Sequence, residues 1–258
     1  MVGIVTTRVT GFIGEIIISN PDRKNAMSSA MWRELRNCAI DMQANDYARV
    51  VILRGADGTF VAGADLTEFK ALREDTDSFT NYLSNIEDAV SAVFNLSKPT
   101  IAAVEGHCIG GGLAIAAACD FRYATTSSIF QIPSARLGLS FPEHSVRRIA
   151  SLIGITNTKR LLFTAERITA QEAKEMGLVS DVIEGDIRAA FEHLCVAIQD
   201  NAPLSITASK RVLNGYISQD KDLDEISSQY AYLTVASRDF NEALTAMEEK
   251  RKPNFIGK

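Results

Sequence analysis

The sequence predicts an α/β fold followed by a helical C-terminal region, and three observations carry this. Short apolar strands recur between turns or helices, at Val50 to Leu53, Ile101 to Val104, Asp120 to Ala124 and Ile129 to Gln131. Two of these strands lead into stretches of small residues, Ala62-Gly63-Ala64 and Gly110-Gly111-Gly112. From Pro203 onward the strand pattern stops and three amphipathic helical segments follow. Repeated strand-turn-helix units imply helices layered on strands around a shared core. At 258 residues the chain can bury one substantial core with a smaller appendage, so the expected organisation is a core over 1–200 and a helical region over 201–258.

Taken in order, Ile4 to Ile18 alternates and then runs apolar around Thr10-Gly11, which predicts a two-stranded hairpin ended by Asn20 and Pro21. Ser28 can cap a helix from Ser29 to about Gln43, with Met31, Leu35, Cys38, Ala39 and Met42 on one face. Leu66 to Glu74 is helix-like, Asp75 to Ser78 reads as a flexible break, and Phe79 to Asn95 as a long helix. The apolar stripe of that helix is Phe79, Leu83, Ile86, Val90, Val93 and Phe94. The Ala-rich LAIAAA segment after Gly112 reads as the start of a buried helix. The C-terminal helices are expected over Leu204 to Tyr216, Leu223 to Ala236 and Arg238 to Lys250, with Ser205, Asp222 and Ser237 as caps.

Composition narrows the function classes. A 46% apolar and 23% charged content is ordinary for a soluble domain. The net charge of −5 argues against a broad nucleic-acid or membrane surface, both of which attract basic patches. Cys38, Cys108, Cys119 and Cys195 form no CxxC and no metal spacing with the three histidines, so they are expected as reduced, mostly buried thiols of a cytoplasmic protein without a metal. No apolar run approaches the roughly 20 residues of a membrane span. The GGG turn lacks the spacing of a dinucleotide fold, and neither a phosphate-binding G-x-x-x-x-G-K-[ST] loop nor a G-x-S-x-G elbow is present.

Two stretches point to chemistry. HCIGGGLAIAAACD, His107 to Asp120, places glycines where a strand turns into a helix, so backbone N–H groups at the positive end of the helix dipole can approach a ligand. The alternative is a tight turn whose glycines only permit packing. VVILRGADGTFVAGADL, Val50 to Leu66, is a second strand-to-turn unit. Two such units can offer one N–H each to a single carbonyl oxygen.

Together these stretches resemble the crotonase (enoyl-CoA hydratase/isomerase) superfamily, with its AGAD-type loop and GGG-type helix start. Further landmarks in register are NPDRKNAM at 20–27, Lys98-Pro99-Thr100, Ile168 to Ala173, Gly177-Leu178-Val179 and EKRKPNF at 249–255. The resemblance implies a spiral of ββα turns rather than a doubly wound sheet. It implies an acyl-CoA thioester as substrate with no separate cofactor, and an oxyanion hole made by the amides of Ala64 and Gly111. It implies substrate and CoA contacts at Lys24, Ala26, Ala62, Leu66, Gly110, Ser134 and Phe141, and at Lys252 and Phe255 of the tail. The C-terminal helices would assemble a homotrimer or a dimer of trimers.

The resemblance also marks a departure. Hydratases of this family carry one glutamate three residues after the oxyanion glycine and another directly after the proline of a strand-end motif. Here those positions are Ala114 and Ser134, so two-glutamate hydration is not expected, and isomerase or lyase/decarboxylase chemistry takes its place; the alternative is a non-catalytic acyl-CoA binder. In the following loop, RLGLSFPEHSVRR at 136–148, Glu143 and His144 are the adjacent acid–base pair near the predicted pocket. Their bland reading is also open, because Glu143 follows Pro142 and an acid in a first helical turn complements the dipole. His107 is a candidate core or catalytic histidine, Asp65 a helix cap, Glu68 an exposed or chamber-facing acid, and Arg147 and Arg148 a solvated helix face.

Overall fold

The computed structural model describes residues 2–68 and 75–258. Its framework is a six-stranded sheet in the order β1-β2-β3-β4-β6-β9, formed by Ile4–Thr10, Ile13–Ser19, Val50–Gly55, Thr100–Val104, Phe121–Thr125 and Asp181–Ile183. The hairpin β1-β2 is antiparallel, and every later pairing in this sheet is parallel. Strands buried on both faces read as continuous apolar runs, which is why β3 and β4 stand out in the sequence. A second sheet runs at its side, in the order β5 (His107–Ile109), β7 (Ile129–Gln131), β8 (Arg167–Thr169). β7 matches the apolar run Ile129 to Gln131 of the sequence, whereas β5, beginning with His107 and running straight into the glycines, carries no strand pattern of its own.

The helices cover the sheets. α1 (Ser29–Ala44) is capped by Ser28, whose hydroxyl accepts from Met31 N at 3.3 Å, and buries Met31, Trp32, Leu35, Cys38, Ala39 and Met42. α2 (Thr76–Phe94) begins where a flexible break was expected: Asp75 takes the N-cap position and accepts from Asp77 N, so the polar run 75–78 is a helix start. The helix reading over 66–74 is met at 66–68 by a helical turn, and its remainder lies outside the described residues. α3 (Gly111–Ala118) is buried from Gly112 to its end. The buried Arg122 closes it, donating to the carbonyls of Cys119 at 2.5 Å and Leu178 at 2.7 Å.

α4 (Glu143–Thr164), α5 (Ala170–Glu175) and α6 (Ile187–Gln199) complete the core, and α7 (Pro203–Ser218), α8 (Leu223–Val235) and α9 (Arg238–Glu249) the C-terminal region. Ser237 caps α9 by accepting from Phe240 N at 3.0 Å. Ser205 does not cap α7; Ala202 occupies that position because Pro203, with no N–H to satisfy, opens the helix. Lys210, buried on α7, donates to Asp120 at 2.7 Å and to the Lys98 carbonyl at 2.8 Å, which ties the C-terminal region to the entry of β4. All four cysteines are free and buried, and no helix among the described residues is long and apolar enough to cross a membrane.

Candidate active site

The site forms where two loops meet. Residues 61–64 are held on one side by β5, through Val61 N to His107 O at 2.8 Å and Ile109 N to Val61 O at 2.9 Å. On the other side they are held by Met27, whose N donates to Gly63 O and whose O accepts from Asp65 N, both at 2.8 Å. Met27 thus takes the bonds flanking Ala64, and the Ala64 N–H faces away from it. Gly63 adopts φ +110°, a conformation natural to glycine, which lets the segment turn between these two anchors.

Gly110, at φ +54° and ψ −112°, turns β5 into α3. Its N–H goes to Gln131 O at 2.8 Å, whereas the next N–H, of Gly111, is the first of the helix and has no intrahelical acceptor. Among the described residues neither the Ala64 N–H nor the Gly111 N–H meets a protein acceptor. Both residues line one cavity of about 190 Å³. Close packing fixes Gly111: a Cβ there would lie 2.9 Å from the Trp32 ring, and Trp32, fully buried, is the cavity's floor beside it.

The rest of the wall comes from Ile109, Ala114, the loop from Pro133 to Pro142, and the α2 stripe Phe79, Leu83 and Ile86. Ala62, Leu66, Gly110, Ser134 and Phe141 all lie in this lining. Among the described residues the lining contains no Asp, Glu, His, Lys or Arg; its side-chain hydroxyls are Ser134 and Ser140. Trp32 carries no signal of its own in the sequence, because it flanks, rather than belongs to, the Met31-Leu35-Cys38 stripe.

The structure places the expected acid–base pair elsewhere. Glu143 and His144 are outside the lining, with 63% and 54% of their side chains exposed. Glu143 pairs with Arg147 one turn on, a bond that holds its carboxyl below the usual range. Its position in the first turn of α4 gives it the dipole-complementing place described above. Glu68 is likewise committed, accepting from Ser29 N at 2.7 Å at the start of α1. Asp65 accepts from Thr67 N at 3.0 Å and pairs with Arg23 at 2.9 Å; burial opposes its charge, but these bonds win and hold its carboxyl below the ordinary value. Arg148 is buried over Phe94, at 4.4 Å from the ring centre, and is not part of a solvated face. His193 is exposed on α6.

Lys24 and Ala26 lie in the loop beside the 62–64 segment, where Ala62 N donates to Lys24 O at 3.1 Å. The tail residues are not brought to the cavity. Lys252 is 91% exposed and stands 3.7 Å from Asp200. Phe255 lines a separate groove of about 710 Å³ against α7, α8 and α9, with Leu213, Val235 and Phe240.

The family model for enoyl-CoA hydratase/isomerase matches residues 9–258, nearly the whole chain. The chain belongs to the enoyl-CoA hydratase/isomerase family, and with it to the crotonase superfamily. Within it, a short-chain-enoyl-CoA hydratase of Clostridium acetobutylicum is 32% identical, covering 94% of this chain and 93% of its own. The peroxisomal Delta(3,5)-Delta(2,4)-dienoyl-CoA isomerase of Arabidopsis thaliana is 29% identical over 98% and 95% of the two chains. The crystal structure of an enoyl-CoA hydratase from Bacillus anthracis superposes with a TM-score of 0.90 at 30% identity, covering 98% of this chain and 99% of that one. An α/β crotonase fold is thereby shown, with C-terminal helices consistent with a trimerisation region.

Proposed function

We propose that this family member binds an acyl-CoA thioester with its carbonyl oxygen between the amides of Ala64 and Gly111 and turns it over through a thioester enolate, without the two-glutamate hydration of its relatives. The observation that carries this reading is one apolar cavity holding two unpaired amides and, among the described residues, no carboxylate. Two fixed donors in a dry pocket suit the charge that develops on an enolate oxygen, and one such donor is worth about 3–4 kcal/mol of transition-state stabilisation. The positive end of α3 adds to the same field.

With no base in the described lining, the chemistry supported best is a lyase step in which the bond to be broken supplies the electrons. In a decarboxylation the C–CO₂⁻ bond breaks, its electron pair enters the enolate, and solvent returns one proton to the α carbon. The apolar lining would favour that departure, because it disfavours the carboxylate left in place. A second reading, isomerisation, is supported by the dienoyl-CoA isomerases among the relatives. A third, an acyl-CoA binder without turnover, is supported by the same lining, which among the described residues holds no Asp, Glu, His, Lys or Arg. The protein would work as a homotrimer or hexamer in the cytoplasm, with no cofactor besides the CoA of its substrate. The residues 201–258 would form the assembly surface.

The test is a panel of malonyl-type, enoyl- and hydroxyacyl-CoA thioesters, with Glu143→Gln and His144→Ala beside the wild type. Release of CO₂ or a shifted double bond, unaffected by either substitution, is expected. Micromolar binding of several thioesters with turnover of none leaves only the binder. Robust hydration of crotonyl-CoA would overturn the reading of Ala114 and Ser134.

A further inference from the structure

We propose that Glu87, Ser145 and Arg148 form a polar subsite at the end of the cavity that takes a hydroxyl group carried several carbons along the acyl chain; this rests on the acyl-CoA reading above and names a substrate class within it. The three residues continue two faces that already line the cavity. On α2, Glu87 follows Leu83 by one helical turn and stands next to Ile86, and residues one turn apart share a helix face. On α4, Ser145 lies one turn after Pro142 of the lining, and Arg148 one turn further. The two faces converge there, because Arg148 Nη2 donates to Ser91 Oγ at 3.0 Å and the guanidinium lies over the Phe94 ring.

The cluster is incompletely bonded. Glu87 Oε1 accepts from Ser91 Oγ at 2.8 Å. Arg148 Nη1 comes no nearer to that oxygen than 3.5 Å, beyond the usual range of about 2.7–3.2 Å. Glu87 Oε2, Arg148 Nη1 and Ser145 Oγ are buried atoms with no hydrogen-bond partner among the described residues. Ser145 is 1% and Arg148 5% exposed, so bulk solvent does not satisfy them. Buried polar groups in folded proteins are nearly always bonded, so an occupant from outside the chain belongs between these three.

The donor set says what the occupant is. A guanidinium nitrogen only donates, a carboxylate oxygen only accepts, and the Ser145 hydroxyl does either. A group that donates and accepts at once answers all three, and a hydroxyl is such a group. A carboxylate on the chain would be repelled by Glu87, and an ammonium by Arg148. Water has the chemistry of a hydroxyl without the tether, so the two are separated by chain length. The cavity of about 190 Å³ exceeds the roughly 150 Å³ of an apolar cavity that holds a benzene ring, so a chain of about six to eight carbons fills it. The hydroxyl is therefore expected at that distance from the thioester.

Calorimetry on the full chain compares pairs of non-reactive oxoalkyl thioether analogues of CoA, one ending in a methyl and one in a hydroxyl, at lengths of about four, six, eight and ten carbons. In a wholly apolar cavity the terminal hydroxyl weakens binding at every length. The subsite predicts the reverse at about six to eight carbons, where the hydroxyl should tighten binding by about tenfold, as a hydrogen bond to a charged group implies. Glu87→Gln and Ser145→Ala should each remove most of that preference. The readout is the ratio of the two affinities, which a purely structural loss does not move, and the wild-type series decides even where a variant fails to fold. A hydroxyl that weakens wild-type binding at every length would leave the place to water alone and overturn the subsite, as would a ratio unchanged in both variants. A wild type that binds no analogue of either kind would instead overturn the acyl-CoA reading on which the subsite rests.

Discussion

Gly111→Ala probes the site through a single methyl group. The added Cβ would lie 2.9 and 3.0 Å from two carbons of the outer Trp32 ring, which is fully buried. Relaxed carbon contacts need about 3.5–4.0 Å, so the ring or the first turn of α3 must move by about 0.6 Å or more. Overpacking of this kind costs about 1–3 kcal/mol, and the better helix propensity of alanine returns up to about 1 kcal/mol. A net loss of about 1–2 kcal/mol lowers Tm by about 2–8 °C in a chain of this size. The functional effect is larger, because the same movement shifts the Gly111 N–H, and a misplacement of about 1 Å can cost 10²-fold in rate. The clash involves the ring that Trp32→Phe removes. The double variant should therefore be less impaired than the sum of the single variants by at least about 0.5 kcal/mol. Thermal melts and turnover of the best thioester substrate of the panel read both effects. Strict additivity of the two substitutions, or a Gly111→Ala variant with unchanged Tm and turnover, would refute the packing argument.

Other outcomes follow from the same structure. Lys210→Ala removes the buried ammonium that pairs with the half-buried Asp120 just before β6, and because Asp120 keeps its bonds from Thr100, a loss of about 1–3 kcal/mol is expected in chemical denaturation. Asp65 has a folded-state pKa below its ordinary value, so its contribution is complete above that ordinary value, near 3.8, and is lost as pH falls through the lower folded value. Stability of the wild type should therefore drop more steeply between about pH 5 and 2 than that of Asp65→Asn. Burial pushes the thiols of Cys38 and Cys195 up to about 11 and that of Cys119 up to about 12, so none should react rapidly with a thiol reagent at pH 8 until the chain unfolds. Tyr232, Leu233 and Val235 are exposed on α8, and sedimentation should show a trimer or hexamer that Leu233→Glu weakens; a folded wild-type monomer at micromolar concentration would contradict this.

The parts of the fold legible in the sequence are those whose pattern is local. The hairpin around Thr10-Gly11, the apolar stripe of α1 and the runs of β3 and β4 announce themselves through period and composition. So do the glycines 110–112, since a strand-to-helix turn at φ +54° leaves little choice of residue. Elements fixed by distant partners were not legible. β5 and β8 are three residues long and exist because β7 lies between them. The start of α2 was hidden because Asp75, Asp77 and Ser78 read as a polar break until the side chain of Asp75 is seen capping the helix. Arg148 looked like surface for a similar reason: its cover is Phe94 and Glu87, more than fifty residues earlier in the chain. Glu143 and His144 show the limit for chemistry, since adjacency in sequence placed them near the cavity but the first turn of α4 carries them to solvent.

The most direct measurement is a crystal structure with a non-reactive acyl-CoA analogue. The account predicts its carbonyl oxygen at about 2.7–3.1 Å from both the Ala64 and Gly111 nitrogens, with the acyl chain against Trp32 and the α2 stripe. An acyl group seated instead in the groove beside Phe255, or a carbonyl oxygen touching neither nitrogen, would contradict it.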